Sequence, residues 1–284
     1  MTIAFGTKTR EAMLTHGALC VGIDPHESLL NDWHLPVSAA GVREFGFRVV
    51  EASAGEVGFV KPQVSFFERF GSAGIAALED VIHAARAAGI LVIADAKRGD
   101  IGTTMAGYAQ AWLAPGSPLE SDALTVSPYL GPTSLYETMA FAHEHGKGLF
   151  VLAATSNPEA GELQRAKVTT EAGDTTVAAS VISSVSTFNA DTADGHGWGS
   201  MGFVIGATVE QSSLGLPELL TPRAPILAPG FGAQGAALAD LGGLFGANAP
   251  SVIASESRGI LRAGPAGLED AIRSRKHELE VTRG

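Results

Sequence analysis

The sequence predicts a closed (β/α)8 TIM barrel, a single α/β domain over residues 1–284, and three observations carry that expectation. Eight short apolar runs recur along the chain, most of them followed by a stretch with helical periodicity, and alternation of this kind implies a parallel sheet. The runs are almost continuously apolar, as strands buried on both faces are. With 284 residues, 45% hydrophobic and 17% charged, the chain suits one large core; barrels of this type commonly fill about 250 residues. An open doubly wound sheet usually has fewer repeats.

The first run, residues 19–24, leads through a polar loop to a helix over 42–54. The second, 57–63, precedes a helix over 74–88. The third opens the stretch LVIADAKRGDIGTT at 91–104, where four apolar residues run into Asp95, Lys97, Arg98 and Asp100, and a helix follows at 103–113. The fourth, 123–127, precedes a helix over 134–145, with Ser134 placed to cap it. The fifth, 148–156, is followed by a polar segment and a helix over 175–189. The sixth is 201–208. The seventh, 225–231, precedes a helix over 234–244, and the eighth, 251–255, a charged amphipathic helix over 265–280. Residues 157–174 read as an irregular exposed insertion and 209–222 as a long connection. No internal repeat or low-complexity tract interrupts this order.

Composition narrows the function. The net charge is −11 and the pI near 5.1, which argues against a nucleic-acid or anionic-membrane surface, since both need clustered Lys and Arg. A small anionic ligand needs only a few local donors. Cys20 is the only cysteine, so neither an intramolecular disulfide nor a metal site of paired cysteines is possible; in the run ALCVGID it reads as a buried core thiol. The amino terminus lacks the apolar core of a signal peptide, and no apolar run approaches the roughly 18 residues of a membrane span, so the expected location is the cytoplasm. The histidines, among them His26, His83, His143, His145 and His196, show no HExxH spacing and read as surface residues. Asp191 and Asp194 read as loop acids. The glycines at 230–235 could be taken for a dinucleotide loop, but they follow the seventh strand and no GxGxxG stands in the first strand–helix unit, so that reading is weak.

In barrel enzymes the active site forms at the carboxyl ends of the strands, and there the unusual polar residues collect. The first strand ends in Asp24, the second in Lys61, the third in Asp95 and Lys97, the fifth in Thr155 and Ser156; the seventh runs into PGFGAQG and the eighth into SESRG. Taken singly, Asp24 before Pro25 could be a turn acid, Lys61 a solvated strand end, Ser156 a cap and Arg258 a surface bridge. Barrel closure makes the first three strands neighbours, so two acids and two bases meet at one rim. Asp95 and Lys97, two apart on a strand, point to one side, and burying such charges is costly unless they pair. Glycine-rich backbone after the seventh strand, Gln234 and Arg258 form the donor set with which barrels bind phosphate.

With these residues in hand, the stretch DAKRGDIGTT resembles the DxKxxDIxxT signature of the orotidine 5′-phosphate decarboxylase family. VGIDP (Asp24), FVKPQ (Lys61), ATSNP (Ser156), PGFGAQG (Gln234) and ESRG (Arg258) match in order, from about residue 19 to 258. The long insertion after Ser156 resembles the longer bacterial type 2 subgroup. The resemblance implies decarboxylation of orotidine 5′-phosphate (OMP) to UMP in pyrimidine synthesis, with no metal or organic cofactor. It implies that Lys97 protonates C6, Asp95 lies beside the substrate carboxylate, Lys61 holds the ribose and the charge network, and Asp24 holds a ribose hydroxyl. Ser156 then meets the pyrimidine amide edge, and Gln234 and Arg258 grip phosphate. Asp95 and Asp100 are expected to keep Lys97 charged and oriented. Asp100, Ile101 and Thr104 are expected to reach into the neighbouring subunit's site, which makes the protein a homodimer. Two rivals stand beside this reading: a magnesium-using sugar-phosphate decarboxylase that shares DxKxxD, and a non-catalytic phosphate-ligand sensor, which has no need of Lys97.

Overall fold

The computed structural model describes residues 2–170, 173–193, 197–233 and 235–283. Eight parallel strands close a barrel in sequence order: β1 Leu19–Ile23, β2 Phe59–Pro62, β3 Leu91–Arg98, β4 Ala123–Val126, β5 Gly148–Ala154, β6 Met201–Ile205, β7 Ile226–Pro229 and β8 Val252–Glu256, with β8 returning to pair with β1. The eight expected runs are therefore the eight barrel strands: six are one to three residues shorter than their apolar stretches, β3 runs on through Arg98, and β8 is shifted by one residue.

Side chains alternate across a strand, and here that alternation separates two cores. One face of each strand packs outward against helices such as Ala39–Ser53, Gly71–Ala87, Gly102–Leu113 and Val177–Thr192. The other points into the barrel, where Cys20, Phe59, Ile93, Ala123, Phe150, Val204, Leu227 and Ile253 form a separate buried cluster. Two residues further along β2, β3, β4 and β8, the same inward face carries Lys61, Asp95, Thr125 and Ser255, all buried. The barrel interior thus changes from apolar to polar within one two-residue step.

The opposite end is sealed by an element outside the eight repeats. Helix Phe5–His16 inserts Phe5, fully buried, edge-on against Phe150 with ring centroids 6.0 Å apart. Gly148 makes room for that ring, since a Cβ there would overlap it.

Three expectations are corrected. Ser134 does not cap a helix: it lies in a 3-10 turn, Pro132–Leu135, its Oγ donates to the Gly131 carbonyl at 2.7 Å, and the α-helix begins only at Tyr136. The helix expected over 234–244 is a 3-10 turn, Leu238–Asp240, and a short helix, Leu241–Phe245, ended by Gly246 at φ +50°; Gly242 and Gly243 weaken it by the entropy they lose in a helix. The insertion at 157–174 is not irregular. It holds helix Ala160–Arg165 and an antiparallel hairpin of Lys167–Thr170 and Gly173–Thr176, and Thr176 then caps the next helix by accepting from the Ala179 N–H.

Candidate active site

Asp95 is the hub of the polar end of the barrel. Its Oδ2 accepts from Lys61 Nζ at 2.9 Å, and its Oδ1 accepts from Lys97 Nζ at 2.6 Å and from Thr125 Oγ1 at 3.0 Å. Asp95 and Lys61 are buried, whereas the Lys97 side chain is 47% exposed. Burial alone would raise the Asp95 pKa, but Lys61 and then Lys97 outweigh it and hold the carboxyl well below the ordinary carboxylate range. Burial would likewise lower Lys61, yet Asp95 and Asp24 raise it above the ordinary lysine range. The fold thus fixes a carboxylate and two ammonium groups in one contiguous network.

Simple alternation does not bring Lys97 there. The β3–β4 register shifts between Ala94 and Arg98, and Lys97 has φ +47°, a left-handed conformation that costs a side-chain-bearing residue roughly 1–2 kcal/mol. The Lys97 N–H donates to Thr125 Oγ1 at 2.9 Å, so one threonine holds both the bulged backbone and the carboxylate that anchors the ammonium. Thr125 was not among the residues singled out from sequence. Its signal is a lone hydroxyl in the apolar run ALTV, in register with the inward face.

Beside this network lies a cavity of about 190 Å³ lined by Asp24, Lys61, Gln63, Asp95, Ser255, Ser257 and Arg258 together with Pro229, Gly230, Phe231 and Ala233. Asp24 Oδ1 is buried without a hydrogen-bond partner. Arg258, exposed at the start of helix Arg258–Leu261, makes no ion pair among the described residues. The cavity therefore offers a paired acid–base network at one end, an unsatisfied carboxylate oxygen in between, and an uncompensated guanidinium at the other.

Asp100, Ile101, Thr104 and Ser156 do not line that cavity. Asp100 does not contact Lys97; its Oδ1 accepts from the Ile101 N–H at 2.8 Å. Ile101 is 60% exposed and Thr104 is also exposed. Within one chain Asp100 is thus bonded into its own turn and not to Lys97. Ser156 is exposed just past β5 and outside the cavity lining. Its neighbour Thr155 is held by the insertion: the Thr155 N–H donates to Gln164 Oε1 at 3.0 Å, and Gln164 Nε2 donates to Thr155 Oγ1 at 2.8 Å. Gln234, with Asp194 and His196, lies outside the described residues. Cys20 is a buried core thiol as expected, its pKa pushed up to about 12 by burial.

Known proteins resemble the chain over most of its length. The family model described as "Orotidine 5'-phosphate decarboxylase / HUMPS family" matches residues 17–269. The orotidine 5′-phosphate decarboxylase of Corynebacterium efficiens is 50% identical over 265 residues, 93% of this chain and 92% of that protein. The Streptomyces coelicolor enzyme is 51% identical over 264 residues, 92% of this chain and 91% of its own length. A crystal structure from Streptomyces avermitilis assigned to the same enzyme superposes with a TM-score of 0.92 at 50% identity, covering 99% of this chain and 97% of the other.

Proposed function

The chain belongs to the orotidine 5′-phosphate decarboxylase / HUMPS family, and from that premise we propose that it converts OMP to UMP and carbon dioxide, with Lys97 delivering the proton to C6 of the pyrimidine. The observation that carries the reading is the Lys61–Asp95–Lys97 network at the barrel mouth.

Loss of carbon dioxide leaves negative charge on a ring carbon with little resonance help. A pre-positioned ammonium aimed at that carbon stabilises the developing charge without reorganisation at the moment of reaction, and the same group then supplies the proton. Lys97 suits this part because it is the half-exposed member of the network, anchored from behind by Asp95. Asp95, already paired on both oxygens, lies beside the substrate carboxylate. Lys61 holds the ribose side and keeps Asp95 ionised. Asp24 takes a ribose hydroxyl on its unpartnered Oδ1. Ser156 meets the pyrimidine amide edge, and Gln234 and Arg258 bind phosphate at the far end. Phosphate held remotely from the reacting carbon can raise the rate as well as the affinity, through the binding energy it brings to closure.

The active form is a homodimer, with Asp100, Ile101 and Thr104 reaching the partner's site. Their exposure supports this, as do Tyr129 and Leu130, 77% and 53% exposed, on a segment that the Ser127 N–H ties to the Arg98 carbonyl at 2.8 Å. Among the described residues no helix is long and apolar enough to cross a membrane, which is compatible with a cytoplasmic place in pyrimidine synthesis.

The experiment is the loss of OMP absorbance on mixing with the protein while a chelator is present. Steady conversion to UMP is expected. No conversion of OMP with or without magnesium, together with magnesium-dependent decarboxylation of a sugar-phosphate acid, would favour the sugar-phosphate branch of the family instead.

A further inference from the structure

Behind the proposed phosphate end sits a buried acid that the reaction does not use. Glu256, the last residue of β8, is 3% exposed and pairs in register with Val21 of β1. Its neighbours Ser255 and Ser257 line the cavity, but Glu256 does not. Its Oε1 lies against two glycines, Gly232 in the loop after β7 and Gly259 beside Arg258; a Cβ on either would overlap that oxygen. Gly232 lies between the cavity-lining residues Phe231 and Ala233. The carboxylate is therefore wedged against the backs of both loops that face the cavity.

A negative charge in that place opposes the binding of a phosphate dianion, and the chain already carries a net charge of −11. Among the described residues one cation is paired with Glu256. Arg275, on the C-terminal helix Gly264–Arg283 and outside the cavity, donates from Nε to Glu256 Oε2 at 2.7 Å. Its other arm reaches Glu278.

We propose that Arg275 is a positioning residue for phosphate recognition: it neutralises and fixes Glu256, so that the two glycine-bearing loops present Arg258 and their backbone N–H groups to the ligand phosphate without an opposing charge behind them. The inference rests on the reading that these loops take phosphate. It assigns a part to a helix that does not line the cavity.

The test compares binding of UMP and uridine, which differ only in the phosphate, to the full-length protein and three variants. Arg275→Met should weaken UMP roughly tenfold, the scale of one uncompensated charge acting through the protein at moderate distance, and leave uridine unchanged. Glu256→Gln should bind UMP no more weakly than the unsubstituted protein. The double variant Arg275→Met with Glu256→Gln should recover UMP affinity, because removal of the acid removes the need for its counter-charge. Equal loss of UMP and uridine binding in Arg275→Met, selective loss of UMP binding in Glu256→Gln, or failure of the double variant to recover would each overturn the proposal. Should Arg275→Met not fold, the Glu256→Gln and double variants still decide. Arg258→Ala separates the two readings. If it fails to discriminate UMP from uridine, the phosphate assignment itself falls; if it discriminates while Arg275→Met does not, only the part given to Arg275 falls.

Discussion

The two ends of the cavity solve opposite electrostatic problems. At the β2–β3 corner both oxygens of Asp95 are taken by Lys61, Lys97 and Thr125, and two of the three charges are buried. At the β7–β8 corner Arg258 stands exposed and without a carboxylate among the described residues, beside glycine-rich backbone. Where charge develops during a reaction, the compensating groups must be fixed beforehand, and the fold can hold them only by pairing them with one another. Where charge arrives with the ligand, the cation stays unpaired until binding. The first corner is therefore coupled to stability and the second to affinity.

Substitutions can break that contrast. The largest effect is expected at Asp95. Asp95→Asn leaves Lys61 buried without its counter-charge, and breaking a buried pair costs about 3–5 kcal/mol, so denaturant unfolding should show a loss of that size alongside loss of turnover. Arg258→Ala should leave the unfolding curve unchanged and instead weaken substrate binding by about 1.5–3 kcal/mol, the worth of a hydrogen bond to a charged group, read as a raised KM; an unchanged KM would remove the distinction between the corners. A smaller effect sharpens where each corner's residues act. If Asp100 serves the partner's site, mixing inactive Lys97→Ala and Asp100→Ala chains should restore part of the activity, and no recovery would place each site within one chain.

The smallest expected effect is one of pH. The Asp95 carboxyl is held below its ordinary range, so its contribution to stability is present above roughly pH 4, the ordinary Asp value, and drains as pH falls through the lowered value. The stability gap between the unsubstituted protein and Asp95→Asn should accordingly stay constant from pH 7 to 5 and narrow as pH falls below about 4. A gap that widened on acidification would contradict the ion-pair account.

How far the two corners were legible in the sequence follows from the same physics. Asp24, Lys61, Asp95 and Arg258 could be placed because each ends an apolar run, and strand order alone brings them to one rim. Lys97 was rightly grouped with Asp95, but the bulge and the Thr125 hydroxyl that hold it there are contacts between strands, which periodicity along one strand does not encode. The Phe5 plug was missed for a similar reason: helix Phe5–His16 has a weak apolar stripe, and its fit depends on Phe150 and Gly148 far along the chain. The 157–174 insertion looked irregular because its hairpin strands, KVTT and GDTT, are polar and take their order from pairing with each other.

The claim at the centre of this account is that the ammonium of Lys97, fixed by Asp95, performs the chemistry rather than supporting the fold. Lys97→Ala measured for both thermal unfolding and OMP consumption tests it directly. The account predicts an unfolding transition close to that of the unsubstituted protein and no detectable conversion to UMP; turnover at the unsubstituted rate would contradict it.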